Sequence, residues 1–214
     1  MRRAMTLLLI LSGCFALYGY KGFLDGRADA PALIARADAL IATGRGGADL
    51  GDGRAEILLT VEDPNFINHN GIDLQSAGGG ITTVTQSLAK RTAFDHFRPG
   101  LPKLRQSTYA IALERHLSKD QIFALWLDTL EMGRGPDGWM TGFFDASIAV
   151  FGQPPAALSD ADFLKLVAVP LAPGMYRLTE PDPRLEDRVA RITRLLAGDC
   201  QPDGNSDVWL EACS

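Results

Sequence analysis

The sequence predicts a mainly α-helical protein with one N-terminal membrane-anchor helix. Three observations lead there. Capping residues stand directly ahead of several amphipathic runs, segments alternating apolar and polar residues are scarce, and residues 4–20 carry no charge. Of 214 residues, 46% are hydrophobic and 22% charged, enough to bury a core and too apolar for wholesale disorder. No linker or repeat divides the chain.

The anchor is read from residues 4–20, AMTLLLILSGCFALYGY, set between Arg2-Arg3 and Lys21. A helix of that length spans roughly 25 Å, at the short limit for a ~30 Å hydrocarbon core unless the flanking cations snorkel. A cleaved signal peptide needs a small-x-small site that is not found here. Leu11-Ser12-Gly13-Cys14 looks like a lipobox, which would make Cys14 an acylated N-terminus. The uncleaved anchor is taken forward, because the apolar character continues past Cys14 and Tyr18 and Tyr20 suit an interfacial belt before Lys21. Either way, the body of the protein lies outside the cytoplasm.

A helix over about 30–42 precedes Thr43 to Gly53, TGRGGADLGDG, which reads as a flexible loop; without a preceding strand or a following Lys-Ser/Thr it is no phosphate loop. Ala55 to Val61 is ambiguous between strand and helix. Thr82 or Thr83 caps a helix through Gln86 to Ala93, and Leu104 to Leu117 reads as another. Ser118-Lys119-Asp120-Gln121 is a capping box opening the run Ile122, Leu125, Trp126, Leu127 and Leu130, which stops at Gly133. Ser159 caps a helix from Phe163 to Val169, ended by Pro170, and Leu185 to Leu196 is closed by Gly198. Cys200 and Cys213 sit in a polar tail where an oxidising compartment permits a disulfide; two unpaired thiols are the alternative.

Twenty-one Lys and Arg against 26 Asp and Glu give a net charge of −5, which argues against a general nucleic-acid binder. Three cysteines without a C-x-x-C pair exclude a zinc ribbon or thioredoxin motif. Chemistry concentrates between residues 61 and 106. In VEDPNFINHNGID, Glu62 and Asp63 follow an apolar run that can raise a carboxylate's pKa towards that of a general base; taken alone, they read more readily as a solvated turn before Pro64, which is ordinary turn chemistry. Gly78 to Lys90 leads glycines into hydroxyls and an amide, offering backbone N–H groups and Lys90 to a polyoxygenated or phosphorylated ligand. Its Ser87-Leu88-Ala89-Lys90 matches S-x-x-K, but no K-T-G follows. Lys90, Arg91, Arg98, Lys103 and Arg105 then reverse the local sign of charge. A solvated basic face competes there with an anionic headgroup or pyrophosphate site.

The order of these motifs resembles the peptidoglycan glycosyltransferases of family 51, the transglycosylase modules of penicillin-binding proteins and their monofunctional relatives. Glu62, Asp63, Phe66, His69 and Gly71 match the first motif. Thr83, Thr85, Gln86, Leu88, Ala89 and Lys90 match the second, and LERHLSKDQIFALWLDTLEMG resembles the helix further on. The resemblance runs over about residues 54–197. It departs at the third motif, R-K-x-x-E, where Pro102 replaces the Arg, Lys103 is kept and Gln106 replaces the acid. Asp128 stands for the usual Asn and Ile81 for Gly.

The resemblance implies a lysozyme-like fold, with 1–21 as anchor or lipoprotein signal, 22–53 as linker and helix, 54–198 as the glycosyltransferase-like domain and 199–214 as a tail. It implies a single-pass protein of a bacterial inner membrane with its domain on the periplasmic side. The partners implied are lipid II, the growing glycan strand, the cytoplasmic membrane and other cell-wall synthesis proteins. Glu62 would be the base and Gln106 would stand at the second catalytic position. Lys90 and Lys103 would hold the pyrophosphate, and Arg105 would replace the cation lost at Pro102. Asp63 and His69 would orient Glu62, Thr83 and Gln86 would contact substrate, and Phe66 would pack. Phe94, Phe97 and Leu101 would belong to a mobile membrane-touching segment. The family often uses a divalent metal, magnesium or manganese, at the pyrophosphate; with Gln106 in place of Glu no metal ligand is assigned. Two other readings stay open: a lipid II-binding relative without turnover, favoured by Gln106, and a muramidase-like hydrolase using Glu62 as acid.

Overall fold

The computed structural model describes residues 2–214, except for the side chains at 2–4, 7, 8 and 10. It is mainly helical. Helix α1 (Arg2–Ala42) leads through a 3-10 turn (Gly47–Leu50) into α2 (Arg54–Glu62). Then come α3 (Val84–Thr92), α4 (Pro102–His116) and α5 (Lys119–Thr129), a hairpin of β1 (Glu131–Gly135) and β2 (Gly138–Thr141), α6 (Phe143–Phe151), α7 (Asp160–Ala168) and α8 (Pro183–Ala197).

α5 is the centre of the core. Its run Ile122 to Leu127 is buried on every side, as expected of a helix apolar all round. α1, α3, α4 and α6 pack around it. Ser118 starts it by accepting the Gln121 N–H while Gln121 accepts the Ser118 N–H, the reciprocal cap read from the sequence. The helix ends at Thr129, earlier than the apolar pattern indicates, and the chain turns into an antiparallel hairpin. Glycines at 133 and 135 and an irregular register hide that hairpin from any alternation test. Ala55 to Val61 resolves as helix.

The N-terminal part differs most from expectation. Residues 2–42 form one continuous helix, with no break after Lys21 separating an anchor from a linker. No helix among the described residues is long and apolar enough to cross a membrane. Arg2, Arg3 and much of the apolar stretch expected as the anchor (Ala4, Leu7, Leu8, Ile10) lie outside the described side chains. The stretch 43–53, expected as a flexible loop, is packed: Leu50 is fully buried and a Cβ on Gly47 would lie 2.6 Å from the Phe123 ring.

α1 docks along α4 through glycines. A Cβ on Gly22 would come within 2.3 Å of the Arg105 carbonyl oxygen, and one on Gly26 within 2.9 Å of that of Tyr109. Polar pairs register the two helices: Thr108 Oγ1 donates to the Gly19 carbonyl at 2.6 Å, Arg105 pairs with Asp25 at 2.8 Å, and the Tyr109 hydroxyl donates to Asp29 at 2.8 Å. Because the clash at Gly22 is with backbone, a side chain there cannot rotate away. Gly22→Leu is expected to destabilise the protein by about 3 kcal/mol or more, at the upper end of overpacking costs, read as a lowered midpoint in chemical denaturation.

Candidate active site

Glu62 is the last residue of α2, and it lines a cavity of about 360 Å³ together with Gly78 to Thr82, Ser87, Lys90, Arg188 and Val208. A second cavity of about 680 Å³ holds Lys90, Arg91, Phe94, Phe97 and Glu131, so Lys90 is shared between the two. Burial pushes the Glu62 carboxyl up to about 7, against the opposing pull of the Arg188 and Arg91 guanidiniums; Asp63 adds to the rise. Burial in turn lowers Arg91 to about 10 and also depresses Arg188. Glu62 is therefore half protonated near neutrality and flanked by fixed positive charge, as a general base or acid requires.

Asp63 points the other way, into the protein. It is 3% exposed, and its carboxylate accepts from His69 Nε2 at 2.9 and 3.1 Å and from the Val84 N–H at 2.8 Å. His69 Nδ1 accepts the Gly71 N–H at 3.0 Å, which places the ring proton on Nε2. Thr83 Oγ1 donates to the Gly71 carbonyl at 2.9 Å. Lys119 closes the frame, donating to the His69 carbonyl at 2.8 Å, pairing with Glu114 at 2.7 Å and lying over the Phe66 ring at 4.4 Å. Asp63 and His69 thus bind each other and the start of α3 on the side away from the cavity, and Phe66 is buried beside them.

Thr83 and Gln86 do not face the cavity. Both are buried, at 3% and 1% exposure, and they form the reciprocal cap of α3; Gln86 Nε2 also donates to Ser107 Oγ at 2.8 Å. Their expected contact with substrate is corrected to a framework role, because capping consumes their polar atoms. Gln106 is likewise 1% exposed and donates through Nε2 to the Gln86 carbonyl at 2.6 Å, while its Oε1 has no partner. It supports the start of α3 from behind and does not enter the cavity. Lys103 donates to Thr82 Oγ1 at 2.8 Å at the cavity edge, and burial followed by repulsion from Lys90 lowers it to about 8. Arg105 turns away: it pairs with Asp25 of α1 and stacks over Phe94 at 4.9 Å, so it does not replace the cation missing at Pro102. The Gly78 and Gly80 N–H groups, expected to face a ligand, are bonded to the C-terminal tail.

Asp128 pairs with Arg36 of α1 and lies 3.9 Å from Arg45, an ionic role a neutral Asn would not fill. Among the described residues no group of three or more His, Cys, Asp or Glu is placed to hold a metal ion. With a neutral, inward-facing amide at the third motif, the side chains present do not fit the divalent metal that the resemblance implies. Arg188 was missed in the sequence, although the signal was there. Leu185, Arg188 and Ile192 share the buried stripe of α8, and a cation on an apolar stripe marks a site or a buried pair. Its Nε and Nη1 have no hydrogen-bond partner.

The family described as Transglycosylase matches residues 49–197. Penicillin-binding protein 1F of Bacillus subtilis (strain 168) is 32% identical over 147 residues, covering 62% of this chain and 20% of that protein. Penicillin-binding protein 1A of Pseudomonas aeruginosa is 28% identical over 165 residues, 70% of this chain and 19% of that protein. Penicillin-binding protein 1B of Escherichia coli (strain K12) is 31% identical over 117 residues, 49% and 14%. The chain thus spans about a fifth of the length of such relatives.

The raised Glu62 pKa has a thermodynamic signature. A carboxyl that binds its proton more tightly when folded loses stability as pH rises from its unfolded value, near 4.5, to about 7, and the loss is constant above that. Glu62→Gln removes this penalty. The variant is expected to match the wild type near pH 4 and to exceed it above pH 7 by an amount of order 3 kcal/mol, measured by denaturant unfolding across that range. An advantage independent of pH would contradict the assignment.

Proposed function

The chain belongs to the transglycosylase family, the peptidoglycan glycosyltransferases of family 51, and from that premise we propose that it polymerises lipid II into glycan strands. Glu62 takes the proton from the 4-hydroxyl of the acceptor sugar. That oxygen attacks the anomeric carbon of the lipid-linked strand as the bond from that carbon to undecaprenyl pyrophosphate breaks, with inversion. The departing pyrophosphate gathers negative charge, and Lys90, between the two cavities, with Lys103 beside it, stabilises that charge. Arg188 and Arg91 keep Glu62 from rising further and so keep it ionisable at neutral pH. The observation that carries this reading is a carboxyl poised near 7 in a cavity that also holds Lys90, a glycine loop and the hydroxyls of Thr82 and Ser87.

Gln106 favours a second reading, a lipid II-binding relative without turnover. Polymerisation of lipid II by the purified protein in detergent separates the two. An active enzyme is expected to show kcat/KM rising with pH through about 7, as Glu62 ionises, and falling above about 8, as Lys103 loses its proton. Glu62→Gln is expected to lower the rate by at least about a thousandfold with the fold intact, at the scale of a lost general base and more. A rate within a few fold of the wild type would remove Glu62 from the mechanism, and an inert wild type would leave the binding reading.

We also propose that residues 4–20, uncharged between Arg2-Arg3 and Lys21, hold the protein at the periplasmic side of a bacterial inner membrane, next to its lipid-linked substrate. The chain expressed in cells is then expected in the membrane fraction after alkaline carbonate washing. Quantitative release by carbonate would rule out an integral anchor.

A further inference from the structure

Residues 199–214 lie beyond the stretch that the transglycosylase family matches, and they form a small body of their own. Cys200 and Cys213 are bonded, across a Cα–Cα distance of 5.4 Å. Inside the loop so closed, the Asp207 carboxylate accepts the N–H groups of Asp203 at 3.1 Å, Glu211 at 2.7 Å and Ala212 at 3.3 Å. Arg194 of α8 donates to the carbonyls of Cys213 and Ser214 at 3.1 and 2.6 Å, fixing the body to the domain. Leu210 and Cys213 are 1% exposed. The tail is thus a folded element with its own internal bonds.

Its free edge bears on the glycine loop of the Glu62 cavity. The Gly78 N–H donates to the Gly204 carbonyl and the Gly80 N–H to the Asn205 carbonyl, both at 2.9 Å. Asn205 Nδ2 donates to the carbonyls of Ser76 at 3.0 Å and Gly80 at 2.7 Å. The approach is so close that a Cβ on Gly78 would lie 2.8 Å from Pro202, and one on Gly80 2.8 Å from Val208. Both glycines have positive φ, +75° and +67°, a conformation that other residues adopt at a cost. Val208 itself lines the cavity beside Glu62. A loop of small residues has few side-chain contacts to hold its shape; beside the Ser76 bonds to Asp73, the four hydrogen bonds between loop and tail hold it.

We propose that the disulfide-closed tail is a wall of the substrate cleft, and that Asn205 is the positioning residue that holds Ser76 to Gly80 in place for substrate. The inference rests on the function proposed above, since it takes the Glu62 cavity as the site that receives lipid II. Asn205 touches no reacting atom; it acts through the loop. An isosteric change tests it. Asn205→Asp keeps the shape but replaces two N–H donors by oxygens facing two carbonyls.

The experiment compares wild type, Asn205→Asp and wild type under reductant, by amide hydrogen exchange over residues 76–82 and by polymerisation kinetics with lipid II. Exchange in that segment is expected to quicken about tenfold or more in the variant and on reduction, as expected when a local cooperative unit loosens. KM for lipid II is expected to rise about fivefold while kcat stays within about twofold, a split that general destabilisation would not produce. Unchanged exchange in both altered forms overturns the clasp. Faster exchange with unchanged KM overturns its link to substrate. Should the variant fail to fold, the reduced wild type carries the comparison. An inert wild type would defeat the proposed polymerase function, and the exchange measurement would then decide the clasp alone.

Discussion

The site depends on a single buried carboxylate. Asp63 accepts from two donors, the imidazole N–H shared between its two oxygens and the first backbone N–H of α3, and so ties the end of α2, the loop through His69 and the start of α3 into one frame. An anion at a helix N-terminus meets the orphan N–H groups and the positive end of the helix dipole, so the place suits its charge. Two neighbouring acids then divide the work. Asp63 is spent on structure, which leaves Glu62 directed at the cavity, partly buried and without the hydrogen bonds that would hold it ionised. The contrast between the two environments separates their roles.

The positive charges follow the same division. Arg91 donates to Ser87 and Thr129 yet keeps one nitrogen unpartnered, and Arg188 keeps two. Guanidiniums remain charged even when burial lowers them, so they supply a steady field at Glu62. Lysines instead stand where charge must be delivered and exchanged with solvent. Lys90 is exposed between two cavities, and Lys103 is held at the edge by Thr82. Repulsion between the two contributes to lowering Lys103, and an anion binding between them would relieve it.

α1 accounts for one place where the chain departs from the family pattern, Asp128, and it holds two side chains of α4 as well. Arg105 serves Asp25, Asp128 serves Arg36 and Arg45, and Tyr109 serves Asp29, all across contacts with α1 or the turn after it. Close glycine packing brings those charged groups within reach. Residues that in the family pattern would be judged by the active site are here held by a helix that precedes the matched region. Gln106 belongs to the same interior side, supporting the Gln86 carbonyl rather than the cavity.

Much of this was legible in the sequence. The helices capped by Thr83, Ser118 and Ser159 follow from local rules, because caps act over a few residues; motif order singles out Glu62, Asp63 and His69, and the tail leaves a Cys200–Cys213 bond open against two free thiols. Local patterns carry no information about direction across the fold. Whether Thr83 and Gln86 point into the cavity or into the protein, whether Arg105 faces substrate or α1, and where Arg188 and Asn205 arrive were decided only when segments far apart in the chain were packed together. Burial and the partner that satisfies each polar group are properties of that packing, and they set both the pKa of Glu62 and the shape of the glycine loop.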